Sequence, residues 1–178
     1  MNNRSACFVD EMNSPIGPLT IVASEQGVCH LHFGTIESIH STLRAKLLKL
    51  GMSGEWQQCS ETLSVAKEQL GEYFSGKRQT FDVPVDLTGT LFQKRVWEAL
   101  KEIDFGQTRS YKQIAEEIGA PKAVRAIGGA NNRNPVPIII PCHRVIGSNG
   151  SMVGYGGGLD KKEMLLVHEG AREQILTH

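Results

Sequence analysis

The chain has 178 residues, of which 40% are hydrophobic, and its 19 basic and 19 acidic side chains give a net charge of zero. These values are typical of a globular protein with one or two small domains. No apolar run is long enough to cross a membrane and the N-terminus has no signal-peptide pattern, so we expect neither a membrane nor a secreted protein. The four cysteines, Cys7, Cys29, Cys59 and Cys142, have no C-x-x-C spacing, which argues against a disulfide framework or a zinc knuckle. We therefore expect a reducing, cytoplasmic setting, or a nuclear one in a eukaryote.

Zero net charge by itself argues against a nucleic-acid-binding protein, but the charges are distributed unevenly. Residues 1–90 hold 7 basic and 10 acidic side chains (net −3), whereas residues 91–134 hold 8 and 5 (net +3), and the remainder is balanced. The middle segment could therefore face phosphate groups, while the first half does not.

The first part of the chain has the alternating pattern of β-strands. It predicts antiparallel strands over 7–12, Leu19–Ala23 and Val28–Phe33, joined by turns. His30 and His32 share one face of the third strand. Their spacing is compatible with a metal site, but we expect them on the solvent side of an edge strand and predict no metal.

Two amphipathic helices are predicted next, over 36–50 and 62–74. The stretch 81–87 is predicted to be a strand and linker. Pro84 limits the hydrogen bonds that this strand can form with a neighbouring strand. No cluster of reactive side chains is visible in this half. We predict that residues 1–88 form a small α/β domain that serves as a scaffold.

After residue 89 the pattern becomes helical. Two capping boxes, at 90–93 and 110–113, each open a helix. The buried side of the first helix is predicted to contain Leu91, Val96, Leu100 and Ile103. The second helix stops at Gly119, and Pro121 suits the first turn of the next one. Two short helices around a tight turn are the outline of a helix-turn-helix.

The second helix of this motif carries mostly small residues. They are Ala123, Ala126, Gly128, Gly129 and Ala130, while Val124 and Ile127 are predicted to face the core. Small side chains allow close approach, either to a neighbouring helix or to nucleic acid. The helix offers few amide or guanidinium groups to read base edges in a major groove, so it suits shape-dependent contact in a minor groove.

Cys142 and His143 follow a stiff, apolar segment. Asn-Pro-Val-Pro at 134–137 is predicted to be extended, and 138–140 to be a short buried strand. A thiol beside an imidazole is a common way to make a thiolate nucleophile. The alternative is a buried structural cysteine beside a surface histidine.

The motif Pro-Cys-His-Arg-Val at 141–145 resembles the active-site motif of the O6-alkylguanine-DNA alkyltransferases, the methylated-DNA–protein-cysteine methyltransferase family. The similarity runs from about residue 89 to residue 170. It includes Ser-Tyr-Lys-Gln-Ile-Ala (110–115), Lys-Ala-Val-Arg-Ala-Ile-Gly-Gly-Ala (122–130) and Gly-Gly-Leu-Asp-Lys-Lys-Glu (157–163). The resemblance implies a ribonuclease-H-like N-terminal α/β domain with a small antiparallel sheet. Over residues 89–178 it implies a mainly helical domain with a winged-helix-like helix-turn-helix.

The resemblance also implies a function. The protein would be a DNA repair methyltransferase that binds double-stranded DNA in the minor groove and flips out O6-alkylguanine. It would transfer the alkyl group irreversibly to Cys142. Because a thioether does not hydrolyse under these conditions, it would act once, as a monomer and without a cofactor.

Several roles follow from the resemblance. His143 would take the thiol proton, directly or through a water, and Glu169 would orient the imidazole. A helix is predicted over Leu159–His168, and the Glu169 carboxylate at its C-terminal end interacts unfavourably with the helix dipole. Pairing with the imidazole would explain why an acidic residue stands at this position. Tyr111 would donate a hydrogen bond to guanine N3, and Asn134 would fasten the helix-turn-helix to the cysteine loop.

Arg125 would fill the gap left by the flipped base. The other DNA contacts would come from Lys112, Ala123, Ala126, Gly128, Gly129 and Ser148. Val145, Tyr155 and Gly156 would line the guanine pocket. The family usually has serine where Gly156 stands. Without a serine hydroxyl, only the backbone N–H of Gly156 is available to contact an oxygen of the substrate.

Three other functions fit parts of the pattern. A non-catalytic lesion-binding relative would carry tryptophan in place of Cys142. A helix-turn-helix regulator needs polar base-reading side chains, which the second helix lacks. A cysteine hydrolase needs an oxyanion hole, which we cannot place in the sequence.

Overall fold

The computed structural model describes residues 6–58 and 60–172. The chain divides into two compact units between Leu87 and Thr88; the boundary expected from the sequence follows residue 88. Cys59 lies outside the described residues. None of the helices in the described ranges is long and apolar enough to cross a membrane.

The first unit contains a three-stranded antiparallel sheet. Its strands are β1 (Phe8–Met12), β2 (Leu19–Ala23) and β3 (Val28–Phe33), in the order β1-β2-β3. They confirm the three predicted strands to within one residue. Every residue of β2 is buried, so this central strand is covered on both faces.

Two helices complete the first unit, α1 (Ile36–Lys49) and α2 (Glu61–Phe74). Each begins at a hydroxyl cap, Thr35 for α1 and Ser60 for α2, which accepts a hydrogen bond from a backbone N–H of the first turn. The apolar stripe predicted for α1 packs against the sheet. The core on that side contains Val9, Val22, Leu43 and Leu47.

The expectation that His30 and His32 lie on the solvent side of β3 is wrong. His30 is only 5% exposed and lies opposite Val22 of β2, which belongs to the core on the α1 side of the sheet. Burial, reinforced by the nearby Lys46 ammonium group, lowers the pKa of His30 to about 3 and that of His32 to about 4. Both rings are therefore neutral at physiological pH.

The stretch 81–87 does not form the predicted strand. An isolated bridge joins Val85 to Val28. The Val28 N–H donates to the Pro84 carbonyl at 2.9 Å, and the Asp86 N–H donates to the Val28 carbonyl at 2.8 Å. Because Pro84 has no N–H of its own, the pairing stops there.

The second unit is mainly helical. Its described helices are α3 (Leu91–Lys101), α4 (Tyr111–Glu117), α5 (Val124–Asn132) and α6 (Leu159–His168). Two short parallel strands, β4 (Arg109–Ser110) and β5 (Val145–Ile146), pair beside them. A 3-10 turn over Cys142–Arg144 precedes β5.

Both predicted capping boxes, at 90–93 and 110–113, are present, so α3 and α4 begin where the sequence indicates. The start of α5 was predicted too early. Pro121 lies in a turn, and Ala123 is the N-cap of a helix that begins at Val124. The chain needs these extra residues to turn between α4 and α5 after Gly119, whose φ is 74°.

The core of this unit joins α3 to α5. The Trp97 indole N–H donates to the Ala130 carbonyl at 2.9 Å, and Ile127 is buried as predicted. Two other predictions for core positions are wrong. Leu91 is 85% exposed because it is the first residue of α3, and Val124 is exposed at the first turn of α5.

Candidate active site

The segment before the cysteine is a tight turn rather than the predicted strand at 138–140. Pro137 and Ile140 form an isolated bridge across it. Ile138 has a φ of 73°, a left-handed conformation that costs a β-branched residue about 1–3 kcal/mol. Burial of all three isoleucines holds this conformation. The cysteine therefore follows a compact, strained corner.

Asn134 fastens that corner, as the sequence led us to expect. Its Nδ2 donates to the Ile140 carbonyl at 2.8 Å, and its Oδ1 accepts the Val136 N–H at 3.0 Å. The Cys142 N–H then donates to the Ile140 carbonyl at 2.8 Å. One side chain thus connects the end of α5 to the backbone that positions the thiol.

Cys142 begins the 3-10 turn and is 4% exposed. Burial raises the pKa of its thiol to about 11, although a hydrogen bond from Asn134 and the nearby Lys162 ammonium group act in the opposite direction. At neutral pH the resting site therefore holds a thiol and not a preformed thiolate. A nucleophilic role for this sulfur would therefore require a base to take the proton.

His143, the next residue, is the candidate base. It is fully buried, and its Nε2 lies 2.7 Å from Oε1 of Glu169. Burial lowers the pKa of the imidazole, against the raising effect of Glu169, so the ring is neutral at rest. The carboxylate can only accept, so Nε2 carries the hydrogen and Nδ1 has the free lone pair. Nδ1 is buried and has no hydrogen-bond partner among the described residues.

Arg144 is a part of the site that the sequence reasoning missed. Its Nε donates to Oε2 of Glu169 at 2.9 Å, its Nη2 donates to Oε1 at 2.8 Å, and its Nη1 donates to the Ile103 carbonyl at 2.5 Å. The guanidinium carbon also lies 5.9 Å from the centre of the Phe105 ring. The signal was an arginine in a segment with no neighbouring acidic residue, which indicates a partner distant in sequence.

Glu169 is held as a carboxylate by these two neighbours. Burial alone would raise its pKa, but hydrogen bonds from His143 and Arg144 outweigh burial and bring the pKa down to about 2. A fixed negative charge at this position stabilises a positive charge on the imidazole, which develops when His143 takes a proton.

Tyr111 and Lys162 meet at the loop that follows β5. The Tyr111 hydroxyl donates to the Val153 carbonyl at 2.8 Å. The fully buried Lys162 ammonium group donates to the carbonyls of Val145 at 2.6 Å, Val153 at 3.1 Å and Gly154 at 3.4 Å. Burial lowers the pKa of Lys162 to about 8. Lys162, which the sequence reasoning did not single out, fixes the loop against β5.

The three predicted pocket residues differ in exposure. Val145 is fully buried, Tyr155 is partly buried and Gly156 is exposed. A Cβ atom at Gly156 would meet nothing closer than the Asn132 carbonyl oxygen, at 3.8 Å. The backbone therefore has room for a side chain at Gly156, and the glycine is not required by packing.

Several residues of the helix-turn-helix that were expected to contact DNA are exposed. Arg125, Lys112 and Ala126 are all exposed. A groove of about 570 Å³ lies between the start of α3 and α5 and includes Lys122 and Arg133 in its lining. A Cβ atom on Gly128 would make only ordinary contact with the Tyr111 ring, at 4.0 Å, whereas one on Gly129 would lie 3.1 Å from Nη1 of Arg133. Ala123 and Gly129 are partly exposed, and Ser148 is exposed in the loop after β5.

Two family models match the chain. The model described as "6-O-methylguanine DNA methyltransferase, DNA binding domain" matches residues 91–171, and the model for the ribonuclease-like domain of the same family matches residues 10–87. The chain belongs to the 6-O-methylguanine DNA methyltransferase family. The resemblance inferred from the Pro-Cys-His-Arg-Val motif is thereby confirmed.

Individual members of this methyltransferase family are similar over nearly their whole length. The methylated-DNA–protein-cysteine methyltransferase of Methanosarcina barkeri is 48% identical over 162 residues, which cover 91% of this chain and 96% of that protein. The protein of the same name from Mycolicibacterium paratuberculosis is 44% identical over 158 residues, which cover 89% of this chain and 89% of that protein.

Solved structures of the methyltransferase family confirm the predicted fold class. The Mycobacterium tuberculosis O6-methylguanine methyltransferase has a TM-score of 0.78 at 43% identity, covering 94% of this chain and 95% of its own. A second structure, of the M. tuberculosis protein in complex with DNA, also has a TM-score of 0.78 and covers 92% of this chain and 93% of its own.

Proposed function

We propose that this protein repairs DNA by moving the alkyl group of O6-alkylguanine onto the sulfur of Cys142. One observation carries the proposal. Cys142 is followed directly by a buried His143 whose Nε2 is occupied by Glu169 and whose Nδ1 is left unpaired. This arrangement suits removal of a proton from a thiol, in the same way as the histidine of a nucleophilic triad.

The chemistry is an in-line displacement. The sulfur of Cys142 attacks the alkyl carbon, a carbon–sulfur bond forms, and the carbon–oxygen bond breaks with its electron pair going to guanine O6. The thiol proton passes to Nδ1 of His143, directly or through a water, and the Glu169 carboxylate stabilises the imidazolium. Tyr111 donates a hydrogen bond to guanine N3, which spreads the charge of the leaving base. The departing guanine anion finally takes this proton from the imidazolium, which leaves neutral guanine and a neutral His143.

Burial of the thiol implies that the base has to leave the DNA stack. Cys142 is 4% exposed, so a guanine inside a duplex cannot reach its sulfur. Flipping costs a few kcal/mol. Arg125, exposed on α5, is long enough to enter the vacated position and has a planar head that can stack. Val145, Tyr155 and Gly156 then surround the flipped base.

Binding to the duplex relies on shape and charge. The small residues of α5, Ala123, Ala126, Gly128 and Gly129, permit close approach to a minor groove. Lys112 and Ser148 are exposed and suit contacts to phosphate oxygens. We therefore expect affinity that is mostly independent of sequence.

The reaction needs no cofactor and no metal, because sulfur supplies the nucleophile and the protein supplies the base. The product is a thioether, which water does not cleave under these conditions, so each molecule reacts once. The three described cysteines are all free thiols. A required thiol suits a reducing, cytoplasmic compartment. One chain supplies the cysteine, the base and its carboxylate partner, so we propose that it acts as a monomer.

A titration tests the function. Increasing amounts of protein are mixed with a fixed amount of duplex containing O6-methylguanine, and the remaining lesion is counted. We expect lesions to disappear in a one-to-one ratio with protein, with no further loss on longer incubation. Repeated turnover would favour a hydrolase, and tight lesion binding without loss of the methyl group would favour a lesion-binding protein.

A further inference from the structure

Arg144, the residue after His143, binds both oxygens of the Glu169 carboxylate. Its Nη2 donates to Oε1 at 2.8 Å, and its Nε lies 2.9 Å from Oε2 and 3.2 Å from Oε1. Oε1 is also the oxygen that lies 2.7 Å from Nε2 of His143. A planar guanidinium that engages both oxygens fixes the plane of a carboxylate, which a single donor does not. Arg144 therefore holds Oε1 in the direction of the imidazole.

The guanidinium group is itself fixed from a second direction. Its Nη1 donates to the Ile103 carbonyl at 2.5 Å, and its carbon lies 5.9 Å from the centre of the Phe105 ring. Ile103 and Phe105 follow the end of α3, whereas Glu169 is the C-cap of α6. The side chains of Arg144 and Glu169 are 7% and 0% exposed. The positive charge is thus held beside the carboxylate and away from water.

This arrangement decides the charge of the neighbouring imidazole. A buried carboxylate alone favours the imidazolium form of its histidine partner, because opposite charges attract strongly away from water. Arg144 and Glu169 together carry no net charge, so a proton on the resting ring would add a positive charge without a counter-charge. The effects on the pKa of His143 agree: burial lowers it, Glu169 raises it, and the charges of Arg144 and Lys162 lower it again.

We propose that Arg144 is a positioning residue for alkyl transfer, which orients the Glu169 carboxylate towards the imidazole and cancels its charge, so that His143 remains a neutral base with its lone pair on Nδ1. The inference rests on the proposed role of His143 as the base that takes the Cys142 proton. Nδ1 is buried and has no hydrogen-bond partner among the described residues, as this role requires. Arg144 thus acts on the reaction through two other side chains.

Nitrogen NMR of the full-length protein, labelled at histidine, measures the state of the ring without a substrate. The His143 signal is assigned by comparison with His143→Gln. In the parent we expect a neutral ring from pH 6 to pH 8, with its hydrogen on Nε2. Arg144→Met keeps much of the side-chain volume and removes the charge, so the midpoint of protonation should rise by at least about one pH unit. An imidazolium in the parent over this range would overturn the inference, whether or not the variants fold.

Single-turnover transfer from O6-benzylguanine measures the consequence for the reaction. The free base is used because its binding does not depend on DNA contacts. A ring that is already protonated cannot take the thiol proton, so Arg144→Met should lose rate mainly at low pH. We expect the rate at pH 8.5 divided by the rate at pH 6 to be about tenfold higher than in the parent, which corresponds to one pH unit in the titration. A purely structural loss would slow the reaction equally at both pH values.

Three further variants accompany Arg144→Met. Arg144→Lys keeps the positive charge but cannot engage both oxygens in a plane, so we expect it to restore the parent titration and rate ratio while remaining slower at every pH. Arg144→Gln, which is also neutral, replaces Arg144→Met if that variant does not fold. Arg172→Met is the matched control, since Arg172 pairs with Glu163 at 3.7 Å and both side chains are 35% exposed. Its titration and rate ratio should equal those of the parent.

The two measurements separate this inference from the proposed function. If the parent transfers no alkyl group to Cys142, the proposed function is wrong, and the NMR titration still tests the effect of Arg144 on the ring. If the neutral variant leaves either the His143 titration or the rate ratio unchanged, Arg144 has only a structural role and the inference is overturned. If Arg144→Lys shows the same shifts as the neutral variant, the charge of Arg144 is not their cause, and the inference is overturned as well.

Discussion

Replacing Glu169 by glutamine tests the buried relay behind the cysteine. The carboxylate accepts from Nε2 of His143 at 2.7 Å and from Arg144 at 2.8 and 2.9 Å. Glutamine keeps the shape but removes the negative charge, and its amide nitrogen cannot accept a hydrogen bond from His143 or Arg144. Glu169→Gln should therefore reduce both stability and the rate of alkyl transfer.

The loss of stability follows from the pKa of the carboxyl group. Hydrogen bonds from His143 and Arg144 bring it to about 2, against an ordinary value of 4.5, which corresponds to about 3 kcal/mol of stability at neutral pH. The folded pKa lies below the unfolded one, so this contribution is complete above about pH 4.5 and is lost as the pH falls through 2. Because the substitution leaves Arg144 buried without its counter-charge, we expect a loss of about 3–5 kcal/mol.

The loss of rate has a separate cause. A well-placed general base contributes about 10²–10⁴ in rate, and the carboxylate stabilises the imidazolium that this base becomes. We expect Glu169→Gln to slow transfer by at least about tenfold at pH 7. The deficit should narrow at alkaline pH, because a growing fraction of Cys142 is then ionised without the help of His143.

Urea unfolding between pH 3 and 7 measures the first effect, and single-turnover transfer between pH 6.5 and 9 measures the second. Glu163→Gln is the matched control, since it makes the same exchange on α6. Glu163 pairs with Arg172 at 3.7 Å, with both side chains 35% exposed, so its loss should cost less than about 1 kcal/mol. DNA affinity should be unchanged in both variants.

Two results would refute this reasoning. If Glu169→Gln transfers the alkyl group at the parent rate at pH 7, the carboxylate does not assist His143. If it unfolds with the parent free energy at pH 7 and the parent acid dependence, the buried ion pair with Arg144 contributes no net stability.

Two further predictions concern the DNA-binding face. Arg125→Ala should slow repair of a duplex far more than reaction with free O6-benzylguanine, because only the duplex requires a base to be held out of the stack; equal losses in single-turnover assays would place Arg125 in the pocket or the fold. Lys112→Ala should weaken binding about equally for all duplex sequences. It should also reduce the slope of log affinity against log salt concentration by the amount expected for roughly one phosphate contact. Fluorescence anisotropy across a salt series measures both effects. A strong preference for one DNA sequence would instead favour a transcription regulator.

Local signals in the sequence predicted most of the elements correctly. The capping boxes at 90–93 and 110–113 located the starts of α3 and α4 because the cap residues bond within their own turn. Alternation located the strands of the first sheet, and Gly170 located the end of α6. The pairing of His143 with Glu169 was predicted from the motif and the misplaced charge at a helix end, and the structure contains it.

The errors arose where tertiary contacts outweigh local preference. The apolar run at 138–140 suggested a strand, yet Asn134 and burial hold Ile138 in a left-handed turn. His30 is polar but lies under α1, which period-two alternation cannot reveal. The lack of a nearby acidic residue indicates that Arg144 has a distant partner, but the sequence does not identify it, because Glu169 and the Ile103 carbonyl lie far from Arg144 along the chain.

Peptide mapping after reaction with methylated DNA tests most directly whether Cys142 is the alkyl acceptor. The protein is mixed with excess duplex containing O6-methylguanine, digested, and analysed by tandem mass spectrometry, with Cys142→Ser as the control. We predict one added methyl group on the peptide that contains Cys142, complete in one turnover and absent from the control. A methyl group on Cys7, Cys29 or Cys59, or loss of the lesion with no added mass on the protein, would contradict this assignment.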